Sequence, residues 1–154
     1  MASALLTGLG IGFLGLIVTA ILGLSGSDVT RHIGYGFFST LVLLLSHSMM
    51  VFYFIGKGRA VKDAMAENSL TGDYVARITA ARKPVFSIAT CAIAATMIAA
   101  ILGASADTKV LPPIIHAMIA YGAIAMNLAA VRVEIDALRT SNRIVDEVNR
   151  LIGS

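Results

Sequence analysis

The sequence predicts an all-α integral membrane protein, a four-helix bundle built from two tandem helical hairpins with helical extensions on the cytoplasmic side. Of its 154 residues, 57% are hydrophobic and only 14% are charged, whereas a soluble domain carries about 25% charged residues. The apolar residues form four blocks, each near the length of about 20 residues that crosses a bilayer. The links between these blocks are short, long and short, which favours two hairpins joined by a connector.

The blocks define the elements in order. The predicted spans are Ala4–Leu24, Ile33–Ile55, Val85–Ala104 and Pro113–Val131. The first lacks the positively charged start of a signal peptide, so we interpret it as a retained span. It carries small residues at intervals of three and four, which predicts close packing against another helix: Gly8, Gly12, Gly15, Thr19 and Gly23. Asp28 is expected to cap the second span, and Pro112 and Pro113 fit the first turn of the fourth.

The distribution of positive charge predicts the orientation. The long link after span two holds six Lys and Arg residues and the C-terminal tail holds four, whereas the two short links hold only Arg31 and Lys109. The positive-inside bias therefore predicts that the long link and both termini are cytoplasmic. We expect a bacterial inner membrane as the location. The basic residues are better explained by this topology and by lipid contact than by binding of nucleic acid.

The chain divides into four segments. Residues 1–67 form the first transmembrane hairpin with its cytoplasmic extension, 68–84 a cytoplasmic connector, 85–132 the second hairpin, and 133–154 a cytoplasmic amphipathic helix. An internal repeat supports this division, because Ala20–Gly36 and Ala100–Gly122 both begin Ala-Ile-Leu-Gly and reach a His that is soon followed by Tyr-Gly. Two hairpins in the same orientation predict a two-fold axis along the membrane normal.

The repeated histidines are the main candidate site. His32 and His116 each lie about one turn into a span that starts on the non-cytoplasmic side, so both rings are expected at the same depth. Spans two and four are diagonal in an up-down bundle, roughly 13 Å apart. That gap leaves room for a flat cofactor with a central metal, such as haem b with two axial imidazoles. Arg31, Tyr35 and Tyr121 are candidates to line such a pocket, with Arg31 facing the propionates.

His47 is a second candidate because it lies deep in span two. An ionisable side chain at this depth is costly and is by default a candidate functional residue. Met126, Met97 and Asn127 are candidate partners across the core, and the roles open to His47 are a second haem, a quinone site, or a neutral structural histidine. No Asp, Glu, Lys or Arg lies deep within the predicted spans, which argues against a proton pump or an ion-coupled transporter.

Helix number and histidine placement resemble the small four-helix membrane anchors that carry b-type haem in respiratory complexes. The favoured hypothesis is a b-type cytochrome-like subunit that transfers electrons through non-covalently bound haem and is not a catalyst on its own. The alternative is a cofactor-free accessory subunit, docked on other membrane subunits or on copies of itself. A bare metal ion is less favoured at His32 and His116, because two imidazoles alone make a poor closed site.

Overall fold

The computed structural model describes residues 2–26 and 28–153, and this part of the chain forms four long helices. They are α1 (Ala2–Ser25), α2 (Val29–Glu67), α3 (Tyr74–Asp107) and α4 (Pro113–Ile152). Each is long and apolar enough to cross a membrane. The predicted all-α four-helix bundle is therefore confirmed, and its composition fits an integral membrane protein.

The helices pair as two hairpins, since α1 packs most extensively on α2, and α3 on α4. At the first corner, the Asp28 carboxylate accepts a hydrogen bond from the backbone N–H of Arg31 at 2.9 Å, which caps α2 as predicted. At the second corner, α4 begins at Pro113 directly after Pro112. We call the end of the bundle with these two corners the corner end, and the opposite end the extension end.

At the extension end, α2 continues to Glu67 and α4 to Ile152, as expected. α3 begins at Tyr74, well before the predicted third span, so most of the segment 68–84 between the two hairpins is also helical. Pro84 lies inside α3, where its missing N–H removes one helical hydrogen bond without ending the helix. Because α1 begins at Ala2 and is only 24 residues long, three helices continue beyond it.

The small residues of α1 face α2, as the sequence predicts. A Cβ atom built on Gly12 would lie 2.7 Å from Leu43 Cγ and 3.2 Å from the Leu43 backbone nitrogen. A Cβ on Gly15 would lie 2.1 Å from Ser39 Oγ. Leu43 and Ser39 are both fully buried, so the glycines bring the two helix backbones close together and fix the register of the first hairpin.

This close approach predicts that Gly12→Ala destabilises the first hairpin, because a methyl group there must displace the Leu43 side chain. Gly10→Ala is the matched control, since nothing lies within 4 Å of its Cβ position. Overpacking costs about 1–3 kcal/mol, whereas alanine in an open helical position gains up to about 1 kcal/mol over glycine. Thermal unfolding in detergent should therefore rank Gly10→Ala above wild type and Gly12→Ala below it. Equal midpoints for the two variants would contradict this register between α1 and α2.

A second apolar cluster holds the three helices together at the extension end. Its buried members come from α2, α3 and α4: Val61, Met65, Ile78, Ile144 and Val148. Beside it, Arg77 donates two hydrogen bonds to the Glu147 carboxylate, at 2.7 and 3.2 Å. The hydrogen bond from Arg77 holds the pKa of Glu147 below its ordinary value. The pair fastens the start of α3 to the last turns of α4.

Acidification is expected to loosen this connection. A carboxylate with a lowered pKa adds stability above its unfolded-state pKa, and that contribution is lost as the pH falls through the lower folded-state value. The protection of the backbone amides in residues 74–80 and 144–150, measured against the intrinsic exchange rate at each pH, should therefore fall below about pH 4.3, the ordinary pKa of glutamate. Glu147→Gln should exchange faster already at neutral pH and lose the acid-dependent component. An identical pH profile in that variant would show that another group controls the opening.

Candidate functional site

The two repeated histidines meet in the centre of the bundle near the corner end. The imidazole centroids of His32 and His116 lie 6.1 Å apart, and the ring planes are inclined by 83°. One ring comes from α2 and the other from α4, so each hairpin supplies one. We call these two residues the histidine pair. Both side chains are half-buried, so the structure brings together the two residues that the sequence singled out.

Each ring of the histidine pair packs on a glycine of the preceding helix. A Cβ on Gly23 would lie 2.9 Å from His32 Cε1, and one on Gly103 would lie 3.0 Å from His116 Cε1. The Nδ1–H of His32 donates a hydrogen bond to the Thr19 carbonyl oxygen at 2.9 Å. Nε2 is then the unprotonated nitrogen of a neutral His32 ring, and its lone pair is available to a ligand.

Two cavities adjoin the histidine pair, one on each side along the bundle axis. The inner cavity has a volume of about 240 Å³ and extends from the pair to Thr40 and Thr96. Glycine and alanine make up about half of its wall: Ala20, Gly36, Ala99, Ala100, Gly103, Ala104, Ala120 and Ala123. The outer cavity has a volume of about 530 Å³ and reaches the corner residues Gly26, Val29 and Pro113. Cofactor sites in proteins typically measure about 300–1,000 Å³; the outer cavity falls within this range and the inner one slightly below it, and both border His32 and His116.

The other residues predicted for this site take different positions. Tyr121 lines the outer cavity. Arg31 and Tyr35 line neither cavity: the Arg31 side chain is 73% exposed and its Nε lies 3.2 Å from Asp28 Oδ2, and Tyr35 is also exposed. Asn127 is fully buried and belongs to a separate group of polar side chains around His47.

We call this group the deep cluster; it consists of His47, Glu134, Asn127 and Thr96. His47 Nδ1 lies 2.8 Å from Glu134 Oε1, and His47 Nε2 lies 3.0 Å from Asn127 Oδ1. All four side chains are at most 2% exposed. Asn127 is one of the partners that the sequence suggested for His47. Because both ring nitrogens are engaged, a metal or a quinone at His47 would have to displace one of these hydrogen bonds.

The structure overturns the expectation that no carboxylate enters the core. Glu134 is completely buried, although it lies three residues beyond the end of the predicted fourth span. The sequence does carry a signal for it: Glu134 follows Asn127 by seven residues, which is almost two full helical turns and places both on one face. The absence of charge within the spans therefore does not argue against proton chemistry in this protein.

Within the described residues, no group of three or more His, Cys, Asp or Glu side chains is arranged to hold a metal ion. A haem needs only two protein ligands, because its porphyrin supplies the other four nitrogens. The histidine pair therefore fits a macrocyclic metal cofactor better than a bare ion.

Comparisons with known proteins give no relative from which a role could be transferred. The chain matches no protein-family model, no curated protein and no solved structure at a significant level. A functional assignment depends on the site itself.

Proposed function

We propose that this protein is a membrane-embedded b-type cytochrome, in which His32 and His116 would hold a haem between α2 and α4 and the bundle serves electron transfer. The observation that supports this proposal is the geometry of the histidine pair. Two imidazoles on opposite sides of one metal, each with its nitrogen about 2 Å from the metal, have centroids about 6 Å apart. In the structure the two centroids lie 6.1 Å apart.

The surroundings of the pair supply what such a cofactor requires. The Thr19 carbonyl holds the His32 ring by its Nδ1–H, which fixes the tautomer in which Nε2 can bind a metal. Gly23 and Gly103 leave space for the rings against α1 and α3. The walls of both cavities are mostly apolar, which suits the apolar faces of a planar ligand. A haem bound here would supply one-electron chemistry, whereas the protein's residues bind it, orient it and shield it.

We infer the orientation of the protein in the membrane from the distribution of Lys and Arg, and the approach of its partners from the position of the histidine pair. The excess of Lys and Arg at the extension end supports cytoplasmic termini in a bacterial inner membrane, with the histidine pair near the opposite face. The outer cavity reaches the corner end, so an electron donor or acceptor approaches there. The bilayer and other membrane subunits or further copies of the chain are the proposed partners.

The test is the spectrum of the full-length protein, purified in mild detergent from cells supplied with haem precursor. We expect a Soret band and one haem per chain. Because the two ring planes are nearly perpendicular, the oxidised protein should give a highly anisotropic low-spin electron paramagnetic resonance signal, unlike the rhombic signal of parallel imidazoles. A folded protein that remains colourless after incubation with haemin would refute the proposal and favour the cofactor-free accessory subunit.

A further inference from the structure

We infer that His47 and Glu134 form a buried proton-binding site, open to protons from the extension end and linked by charge to the cavity of the histidine pair. The two side chains come from α2 and α4 and are 1% and 0% exposed. They are joined by the 2.8 Å contact between His47 Nδ1 and Glu134 Oε1. No metal and no quinone is needed for this site, because its ligand is the proton.

Hydrogen bonding fixes which atoms of the pair can exchange a proton. The amide nitrogen of Asn127 donates to the Ala123 carbonyl at 2.8 Å and to Thr96 Oγ1 at 2.7 Å, so both of its hydrogens are used. Asn127 Oδ1 must therefore accept, and the Nε2–H of His47 is its donor at 3.0 Å. One further proton lies between Nδ1 and Oε1, which leaves the pair without net charge.

The second carboxylate oxygen gives this pair room for one more proton. Glu134 Oε2 is buried and has no hydrogen-bond partner among the described residues. On α4, Ser141 follows about two turns toward the extension end, and its hydroxyl oxygen is likewise buried without a partner in the described part of the chain. We assign proton entry to this side of the pair because both of these unpartnered oxygens lie there. The Asn127 side is closed, since an amide cannot pass a proton on without changing its tautomer.

Few other ionisable groups surround the pair. On α2 the nearest toward the extension end is Tyr53, and α1 contributes none over residues 2–25. On α3 the single ionisable residue between Pro84 and Asp107 is Cys91, which is exposed. On α4, Arg132 and Asp136 are close in sequence but exposed. The proton therefore belongs to the His47–Glu134 pair and not to a wider set of titrating groups.

Thr96 connects the two sites, because it lines the inner cavity and accepts a hydrogen bond from Asn127. His32 and His47 are fifteen residues apart on α2, about 22 Å along the axis. At an effective dielectric constant of about 20, a unit change of charge over such a distance alters proton binding by about fourfold. This linkage rests on the proposed function: where a reductant would add one electron to a bound haem, Glu134 Oε2 would take up one proton from the surrounding water and form an O–H bond.

The experiment is an infrared titration of the full-length protein in phosphatidylcholine nanodiscs, from about pH 4 to about pH 10. We expect the infrared band of a buried protonated carboxyl group to appear on acidification and to be absent in Glu134→Gln. The control variant Asp136→Asn should keep this band, because the Asp136 side chain is exposed. An imidazole band should change at the same pH and be lost in His47→Gln. In haem-loaded protein, the proton concentration at which half of the carboxyl groups are protonated should be about fourfold lower in the reduced form than in the oxidised form.

Each outcome decides a separate point. A wild-type spectrum without a titrating buried carboxyl overturns the inference. A titrating carboxyl in protein that binds no haem keeps the proton site and refutes both the linkage and the proposed function. If the protein binds haem but the carboxyl group titrates at the same pH in the oxidised and reduced forms, only the linkage is refuted. If Glu134→Gln does not fold, carbon-13 labelling of the glutamate carboxyl groups in wild-type protein assigns the band, because Glu134 is the buried one of the three glutamates, with Glu67 exposed and Glu147 partly exposed.

Discussion

Replacing His116 with alanine will abolish the low-spin haem spectrum, and replacing His32 will do the same. Each hairpin supplies one imidazole to the pair, so either substitution would leave the proposed haem with a single histidine to hold it. Loss of a residue that only orients a metal ligand costs about 10–100-fold in affinity, and loss of the ligand itself should exceed about 100-fold. Haem content per chain and the Soret band, measured after purification, test this expectation.

Two comparisons separate ligation from a general loss of folding. Gly122→Ala changes α4 near His116, where nothing lies within 4 Å of the added methyl group, and should keep the full haem content. His116→Gly supplemented with free imidazole should recover the low-spin spectrum, because the small ligand enters the space of the missing ring. A His116→Ala protein that keeps wild-type haem content would show that the histidine pair does not bind the cofactor.

Replacing His47 with leucine should cause a larger loss of stability than Gly12→Ala or Glu147→Gln. The change leaves the Glu134 carboxyl fully buried without its partner at 2.8 Å, and it leaves Asn127 Oδ1 without a donor. Breaking a buried pair by removing one member typically costs about 3–5 kcal/mol. Unfolding in a detergent mixture, followed by circular dichroism, measures the difference from wild type.

The double variant His47→Leu/Glu134→Leu should recover much of this loss, because an apolar pair of similar volume removes the buried charge together with its partner. Met49→Leu is the control on α2, since this side chain is 40% exposed and its replacement should stay within about 0.5 kcal/mol of wild type. Equal stabilities of wild type and His47→Leu would mean that the contact with Glu134 does not form.

The histidine pair can be predicted from the sequence because its position depends on simple geometry. Spans two and four start at the same end of the bundle, and His32 and His116 each lie about one turn from that start. Equal rise along two parallel helices places them at equal depth. The small side chains around them, such as Gly36 and Ala120, also indicate open space, and both residues line the inner cavity.

The buried glutamate cannot be found by the same method. A hydropathy window ends the fourth span at the first charge, Arg132, and assigns everything beyond it to water. Glu134 avoids water because it finds a partner 87 positions earlier in the chain, and such long-range pairing depends on the bundle geometry. The length of α3 escapes prediction for a related reason. Pro84 is typical of a helix start and Lys83 of the edge of a membrane span, yet the packing of Ile78 at the extension end continues the helix back to Tyr74.

The internal repeat relates the two members of the histidine pair to each other, but it does not relate the residues of the deep cluster. Shifting the chain by 84 positions superimposes His32 on His116, but it places Leu43 on Asn127, Met50 on Glu134, and His47 on Val131. A dimer of two identical half-molecules would therefore contain both histidines of the histidine pair, but it would lack the contact between His47 and Glu134. When both halves belong to one chain, equivalent positions can carry different side chains. A single glutamate on α4 can then contact a single histidine on α2.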